Sequence, residues 1–261
     1  MRLWLALARL GFKRAAAYRG ATVAGVFTNT VWGFMLTFVQ LALFSVHSRV
    51  AGYDATDAVT YVWMQQGMLM TVFSWVWADI AVRVRTGDIA TDFHRPVDFQ
   101  GYWLVQDLGR AVYHALFRGI PPVLVASLVF HLRFPSHGLT WLWFAVSLVL
   151  AVCVSFALRF LTNMTAFWIL DYRGIVSLTA FAWMFLAGMF GIPLVFLPAA
   201  IYRVVALLPF ASMGQAPLTV FLEKPGVPAA MALQAFWAVA LLALGRVVLH
   251  RAERRLVVQG G

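Results

Sequence analysis

The stretch Arg83-Val-Arg-Thr-Gly-Asp-Ile-Ala-Thr-Asp-Phe-His-Arg-Pro-Val-Asp98 is a long polar interruption in an otherwise apolar sequence. It contains three arginines and three aspartates, with a turn residue, Gly87, near its start and a helix-stopping residue, Pro96, near its end. A basic arm and two apolar runs precede it, and four apolar runs follow it. We therefore interpret it as the principal polar loop of a chain that otherwise lies in a membrane.

The composition predicts an all-α polytopic membrane protein. Hydrophobic residues make up 62% of the 261 residues and charged residues only 11%, and the mean hydropathy is +0.82. A soluble domain usually carries about 25% charged residues, so the excess apolar surface has to face lipid. The alternating segments of about ten residues that mark a β-barrel are absent. The single cysteine, Cys153, cannot form a disulfide within the chain.

The apolar runs predict six membrane spans, because a span needs about 20 apolar residues. The third begins as a mixed segment, 100–118, that we expect to enter obliquely along the membrane surface and to continue to 131. The other predicted spans are 22–46, 58–82, 139–158, 174–196 and 229–249.

Residues 1–20 are predicted to form a basic amphipathic helix. On a helical wheel its basic and its leucine side chains fall on different sides, which suits a helix lying on a surface of anionic lipid. Simple positive flanking charge is an equally good reading of the same pattern. The residues that define the two sides are Arg2, Arg9 and Lys13, and Leu3, Leu7 and Leu10.

The placement of positive charge predicts that both termini are cytoplasmic. With six spans and the N-terminus inside, sixteen of the twenty lysines and arginines fall on the inner side. The four on the outer side are Arg49, Arg133, Arg203 and Lys224. This bias follows the positive-inside rule, so the net charge of +10 is assigned to topology and anionic membrane lipids rather than to nucleic acid.

Residues 193–228 are unusual because they are apolar yet hold six of the ten prolines. A loop in water should be polar, and a full span here would place the two ends of the chain on opposite sides. We therefore predict short re-entrant or interfacial helices at the outer face, where non-helical backbone must be covered by protein or line a cavity.

Several catalytic motifs are missing. The only lysines, Lys13 and Lys224, do not lie in a phosphate-binding loop, so the chain is not expected to hydrolyse ATP by that route. No nucleophile elbow and no zinc-protease motif occur. The six histidines are scattered over both predicted sides, so no metal site is predicted.

The polar loop is a candidate for docking to a soluble partner. Asp88 to His94 can form two helical turns, with Ile89 and Phe93 four residues apart as one apolar knob. Asp88 lies near the helix start, where an acidic side chain is favoured. A short helix with such a knob suits a groove on a partner. An ordinary turn whose side chains reach the membrane surface is the alternative.

Two further groups of residues are candidates for function. Asp79, Asp107 and Arg110 are ionisable groups near the cytoplasmic edge, where structural ion pairs are the commoner role and a transport role is the alternative. A second set could line a translocation path, although aromatic residues often face lipid and buried amides often bond between helices. This set is Gln65, Gln66, Phe38 and Trp63.

The chain resembles the permeases of ABC-2-type ABC transporters. Gly87-Asp-Ile-Ala-Thr-Asp-Phe-His-Arg-Pro-Val-Asp-Phe-Gln-Gly-Tyr102 is similar to a signature of one subgroup, G-(D/E)-I-A…L-x-(K/R)-P-V…Y, with Phe93 where leucine is usual. Ile192-Pro-Leu…Leu-Pro198…Leu-Pro209-Phe is similar to a second, weaker signature. The resemblance covers nearly the whole chain, as one permease domain over 1–261.

The resemblance implies an exporter subunit of the bacterial cytoplasmic (inner) membrane. Two permeases would pair, as a homodimer or a heterodimer, and each would bind a cytoplasmic ATPase subunit that holds ATP and Mg. The exported solute would be apolar or amphipathic, such as a drug, lipid, natural product or glycan. The segment 83–98 would be the coupling helix, and the residues in contact with the ATPase would be Gly87, Asp88, Ile89, Asp92, Phe93, Arg95 and Pro96.

Two other classes of function compete with this one. A membrane assembly or scaffold component of an ABC-like complex would share the architecture but move no bulk solute. An intramembrane enzyme would need a nucleophile with a base, or a metal cluster, within the spans, and the sequence offers neither. A transport subunit without catalytic residues of its own is the favoured reading.

Overall fold

A computed structural model describes residues 2–74, 77–169 and 172–259, with side chains described as far as 255. The regular secondary structure in these ranges is helical, apart from one isolated β-bridge between Val50 and Tyr53. The α-helices are α1 (Arg2–Ala16), α2 (Arg19–Val46), α3 (Ala55–Val72), α4 (Asp79–Thr86), α5 (Ile89–Phe93), α6 (Phe99–His114), α7 (Ile120–Val129), α8 (Gly138–Met164), α9 (Arg173–Leu186), α10 (Ala199–Leu207), α11 (Gln215–Phe221) and α12 (Val227–Gln259).

Four helical stretches of the described chain are long and apolar enough to cross a membrane. They are Arg19–Val46, Phe99–Val129, Gly138–Phe167 and Val227–Arg255. They correspond to predicted spans one, three, four and six, and they confirm an all-α integral membrane protein. The other two predicted spans fall on the shorter helices α3 and α9, so the count of six stays a prediction.

The predicted second span, 58–82, is not one helix. α3 ends at Val72, Phe73 is extended, and α4 begins only at Asp79. Side chains from distant helices bind the carbonyl groups that α3 leaves unpaired at its end. Arg110 donates to the Met70 oxygen at 2.6 Å and to the Thr71 oxygen at 3.2 Å, and Ser155 donates to the Val72 oxygen at 2.7 Å. The helix therefore ends inside the fold without losing hydrogen bonds.

The start of α4 is held by Asn163 of α8. The Asn163 side-chain nitrogen donates to the Trp77 carbonyl oxygen at 2.9 Å, and its side-chain oxygen accepts from the Ala81 backbone nitrogen at 3.0 Å. One buried amide thus pairs both with the chain that enters α4 and with its first turn. The polar loop that follows is consequently tied to α8.

The third predicted span is a single helical stretch with one irregular turn. α6 passes through a π-helical turn, Ala115–Gly119, directly into α7. Within this turn the Ile120 backbone nitrogen donates to the Ala115 carbonyl oxygen, five residues back. Pro121 and Pro122 follow at once in the first turn of α7, where prolines need no backbone donor.

The predicted fifth span, 174–196, is also shorter than expected. α9 ends at Leu186, and the chain turns at Gly188 and Gly191, which both have φ of +73°. Glycine adopts this conformation without the steric cost that a side chain adds. The turn is held by Tyr61, whose hydroxyl donates to the Gly188 carbonyl oxygen at 3.2 Å.

The proline-rich segment folds back against the helices, and its contacts join it to α3, α8 and α12. Gln215 of α11 accepts hydrogen bonds from Tyr61 and from the Leu194 backbone nitrogen. Gln234 of α12 donates to the Ser212 carbonyl oxygen at 2.7 Å and accepts from Ser147 of α8. This packing is what a re-entrant segment requires, while its depth in a membrane stays a prediction.

The N-terminal helix packs closely on α6. A Cβ atom added at Gly11 would lie 1.9 Å from the Gln106 carbonyl oxygen, and one added at Gly109 would lie 1.9 Å from the Ala8 carbonyl oxygen. The two glycines therefore allow the helix backbones to touch. Arg14 also donates to the Gln106 side-chain oxygen at 2.9 Å. α1 is thus part of the fold, and its lipid contact stays a prediction.

Candidate functional site: the 79–98 loop and its anchors

The predicted docking segment forms two short helices, α4 and α5, joined by a tight turn. Gly87 ends α4 with φ of +81°, a left-handed conformation typical of glycine at a helix end. Thr86 donates to an Asp88 carboxylate oxygen at 2.8 Å across the turn. The positions of the turn residue, Gly87, and of the short helix after it were therefore predicted correctly from the sequence.

Ile89 does not form an exposed knob, which corrects the expectation for this side chain. It is only 1% exposed and belongs to a buried apolar cluster with Ile80, Phe99, Phe156 and Phe160. The physical reason is that the apolar face of α5 finds a partner surface on α6 and α8 of its own chain. Ile89 therefore anchors the loop instead of reaching outward.

Phe93 is half-buried and shares this inward direction. Its ring packs edge-on against Phe99 of α6 with centroids 5.0 Å apart, and it stacks on Phe167 after α8 with centroids 6.4 Å apart. Such aromatic pairs each stabilise a fold by about 0.5–1.5 kcal/mol beyond the area that they bury. Phe93 and Ile89 together fix α5 to the helices behind it.

Asp92 forms ion pairs with two arginines of the loop. It is buried, and its carboxylate lies 2.8 Å from the Arg83 guanidinium and 3.4 Å from that of Arg95. A buried carboxylate needs such partners. Arg83 and Arg95 thus connect α4, α5 and the chain that follows, while about half of the Arg95 side chain remains exposed.

From the turn after α4 onward the exposed surface of the loop is mostly polar, whereas on α4 itself Val82 is 44% exposed. The polar surface lies on the turn after α4, on the outward face of α5 and on the chain that follows α5. Its members are Arg85, Thr86, Gly87, Asp88, Thr91, His94, Arg95 and Pro96. Of the predicted contact residues, Gly87, Asp88, Arg95 and Pro96 are on this surface, whereas Ile89 and Asp92 are beneath it.

The end of the loop is fastened to both α6 and α12. Asp98 accepts from the Gly101 backbone nitrogen at 2.7 Å and so caps α6. The same carboxylate forms an ion pair with Arg246 of α12. The loop consequently has fixed connections to α6, α8 and α12.

Behind the loop lies a buried ion cluster centred on Asp107. Arg110 and Arg159 each approach this carboxylate to 2.7 Å, and the Arg159 guanidinium lies 5.3 Å from the centre of the Trp77 ring. Asp107 and Arg110 thus lie together as an ion pair. Asp79 is exposed and forms no ion pair with any residue that the structure describes.

Arg159 was not among the residues predicted to have a function, because it follows directly on the predicted fourth span, 139–158. A signal was available, because Arg159 is the first charge in a helix that is apolar from Gly138 onward. A cation so placed needs an acidic partner within the bundle. The sequence could not identify Asp107 as that partner.

The four candidates for a translocation path have different surroundings. Trp63 is fully buried beside Phe34, and Gln65 donates to the Met189 carbonyl oxygen at 2.5 Å. Gln66 is also buried and donates to Gln65. Phe38 faces outward from α2 and is 61% exposed. The first three are therefore packed within the fold, Phe38 lies on its surface, and a role in translocation stays a prediction for all four.

A second ion network joins three loops at the opposite end of the bundle, and its residues were not predicted to have a function. Asp57 is buried and pairs with Arg133 and with Lys224, the latter at 2.5 Å. Arg133 also pairs with Asp54 at 2.9 Å. These contacts tie together the α2–α3, α7–α8 and α11–α12 connections. Within the described residues no group of three or more histidine, cysteine or acidic side chains is placed to hold a metal ion.

Comparison with known proteins identifies the family. A family model described as ABC-2 family transporter protein matches residues 30–260, which include the loop, its anchors and the proline-rich segment. A search of curated proteins gives no match. The family match confirms the resemblance seen in the sequence. The chain belongs to the ABC-2 family of transporter proteins, which are membrane components that work with an ABC ATPase in a separate subunit.

Proposed function

We propose that this chain is the permease subunit of an ABC exporter and that the 79–98 loop receives force from the ATPase. The observation that carries the proposal is the way the loop is built. Its outer surface is exposed and mostly polar, while Ile89 and Phe93 fix its inner surface to α6 and the end of α8. A partner that presses on the outer surface would therefore also displace α6 and α8, to which the loop is fixed.

The anchors supply a route for that force into the bundle. α4 is tied to α8 through Asn163, and Asp98 joins the start of α6 to α12 through Arg246. Arg110 and Arg159 then link α6 and α8 to the broken end of α3. A displacement of the loop would reach three of the four long membrane helices through paired polar groups.

The membrane surface of the chain supports pairing with a second permease. α2 presents a face of large apolar side chains that no other part of the described chain covers, including Phe27, Phe38 and Met35. We propose that two permeases meet along such a face, as a homodimer or a heterodimer, with the path between them. Because the bundle offers few charges, the exported solute is apolar or amphipathic.

The proposed setting is the bacterial cytoplasmic membrane with both chain ends in the cytoplasm. The polar loop and the basic residues of α1 then lie on the inner side, where anionic lipids attract positive charge. The network of Asp54, Asp57, Arg133 and Lys224 lies at the outer end.

A negative charge placed on the loop tests the assignment. His94→Glu should reduce co-purification of the ABC ATPase with this chain at least tenfold, because it puts a carboxylate on the docking surface at an exposed position that has no ion pair among the described residues. Arg203→Glu is the control, since Arg203 is exposed on α10 at the proposed outer side and should leave the yield of ATPase unchanged. Equal ATPase recovery with His94→Glu and the unaltered chain would contradict docking on this surface.

A further inference from the structure

An elongated apolar groove of about 340 Å³ runs between α3, the α6–α7 stretch and α8. One wall is a stripe of α3 formed by Met64, Gly67, Met68 and Thr71, which follow one another at helical spacing. None of these residues belongs to the 79–98 loop or to its anchors. The groove is thus a separate feature of the molecule.

The second wall runs along the helical stretch from Ala115 to Ser127. It includes Leu116, Ile120 and Leu124, and at 1.5 Å per residue it is about 18 Å long. The groove exists because the two walls separate on either side of a close crossing. At that crossing a Cβ atom added to Gly119 would lie 2.5 Å from the Gly67 carbonyl oxygen.

The groove is open along one side toward the surface that faces lipid. Leu116, Ile120 and Leu124 are each about half exposed, and they lie on a helix long and apolar enough to cross a membrane. At one end the rings of Phe134 and Trp141 stack with centroids 6.3 Å apart. Aromatic residues are common where lipid headgroups begin.

We propose that this groove holds one hydrocarbon chain of a membrane phospholipid as a resident ligand. The wall of about 18 Å lies on a helical stretch long and apolar enough to cross a membrane, so the groove can lie along a hydrocarbon chain of the bilayer. The lining is almost entirely apolar, which suits a hydrocarbon chain and disfavours a polar solute.

The phospholipid is a structural ligand and not the transported solute. It covers apolar side chains that the described chain leaves about half exposed, and gives them dispersion contacts. Its headgroup lies beside Phe134 and Trp141. The site is independent of the proposed coupling loop, so either proposal can fail without the other.

Filling the groove tests the proposal. Ser127→Phe places a ring in the groove and removes only a hydroxyl that bonds to the Leu124 carbonyl oxygen of its own helix. Leu128→Phe is the matched control, because Leu128 is the adjacent residue, is 86% exposed and lies outside the groove. The protein is reconstituted in phosphatidylcholine vesicles and extracted in detergent, and the number of phosphatidylcholine molecules retained per chain is counted by native mass spectrometry. Ser127→Leu repeats the test with a smaller side chain if the larger one prevents folding.

The expected result is about one retained phospholipid per chain for the unaltered protein and for Leu128→Phe, and a loss of at least fivefold for both variants at Ser127. Equal retention by all four proteins would overturn the proposal. So would a change of oligomeric state on filling the groove, since that would make protein the occupant. Release of the retained lipid on ATP hydrolysis by the complex would also overturn it, because the lipid would then be a solute.

Discussion

At the scale of single residues, the carboxylate of Asp107 is a costly group to bury. It is compensated by two arginines, of which Arg159 is itself buried. Removing one partner from such a buried cluster leaves charge without compensation. Loss of the cluster should therefore be harmful to the fold.

Asp107→Asn is expected to destabilise the protein by about 3–5 kcal/mol, because both arginines lose their counter-charge. Asp79→Asn is the matched control, since Asp79 is exposed and without an ion pair among the described residues, and it should change stability by less than about 0.5 kcal/mol. Unfolding midpoints in detergent measure both. Similar midpoints for the two variants would contradict the structural role of the cluster.

Glu223 makes stability depend on acidity at the other end of the bundle. Hydrogen bonds from Ser136, Thr140 and His137 hold the pKa of the Glu223 carboxyl at about 2, below its ordinary value of 4.5. A lowered pKa in the folded state stabilises the fold above the unfolded value, and this contribution is lost as the pH falls from 4.5 toward 2.

Glu223→Gln should therefore lower the unfolding temperature near neutral pH, and the difference from the unaltered protein should shrink as the pH approaches about 3. Glu253→Gln serves as the control, because among the described residues the Glu253 side chain has one hydrogen-bond partner, His250 of its own helix. Thermal unfolding followed over this pH range measures the effect. A difference that stays constant with pH would show that the hydrogen bonds to the ionised carboxylate are not responsible.

The residues of the loop show what a sequence pattern can predict. The spacing of Ile89 and Phe93 correctly placed both side chains on one face of a short helix. The pattern could not say whether that face meets a partner or the chain itself, because an apolar face suits either contact. The answer depends on Phe99, Phe160 and Phe167, which come from α6, α8 and the turn after α8.

At the scale of elements, the contact of α1 with α6 is a close packing of two helix backbones. Glycine at positions 11 and 109 allows this approach, and any side chain at either position meets a carbonyl group that cannot move aside alone. The basic amphipathic pattern predicted the helix, but of the three leucines that define its apolar side only Leu7 is buried, whereas Leu3 and Leu10 are exposed. It did not predict which helix the buried side would contact.

Gly11→Ala should lower stability by about 1–3 kcal/mol, because the added methyl group overlaps the Gln106 carbonyl oxygen and forces the helices apart. Gly20→Ala is the control, since nothing lies within 4 Å of the added atom in α2 and alanine is the better helix former. Thermal unfolding compares the two, and trypsin cleavage after Arg14 reports whether α1 has been released. An unaltered cleavage rate in Gly11→Ala would contradict the close packing.

The break between α3 and α4 shows why residues 58–82 could not be recognised from the sequence as two helices. Apolar residues continue through the break, so hydropathy and periodicity give no sign of a helix end at Val72. The end is decided by Arg110, Ser155 and Asn163, which lie 39 or more residues away in the sequence. Contacts of this kind are fixed only when the whole bundle is assembled.

At the scale of the whole molecule, the bundle has two different ends. One carries the 79–98 loop and the Asp107 cluster, and the other carries the network of Asp57 with Arg133 and Lys224. The uneven distribution of positive charge predicts which end is cytoplasmic. The family and the all-α class could be predicted from the sequence because they depend on composition and local motifs.

Cysteine labelling tests this orientation. In a Cys153→Ala background, Thr91→Cys and Arg203→Cys place single thiols at exposed positions on the loop and on α10. A maleimide that does not cross membranes should label Arg203→Cys in intact cells and should label Thr91→Cys only after the membrane is opened. The reverse pattern would contradict the assignment of both ends.

The central claim is that an ABC ATPase docks on the exposed surface of the 79–98 loop. The most direct measurement is photo-crosslinking in membranes that contain this chain and its ATPase, with a photoreactive amino acid in place of His94 or, as the control, Arg203. The account predicts a crosslinked product of the two proteins from position 94 and none from position 203. A product from position 203 alone, or from neither position while the complex stays intact, would contradict it.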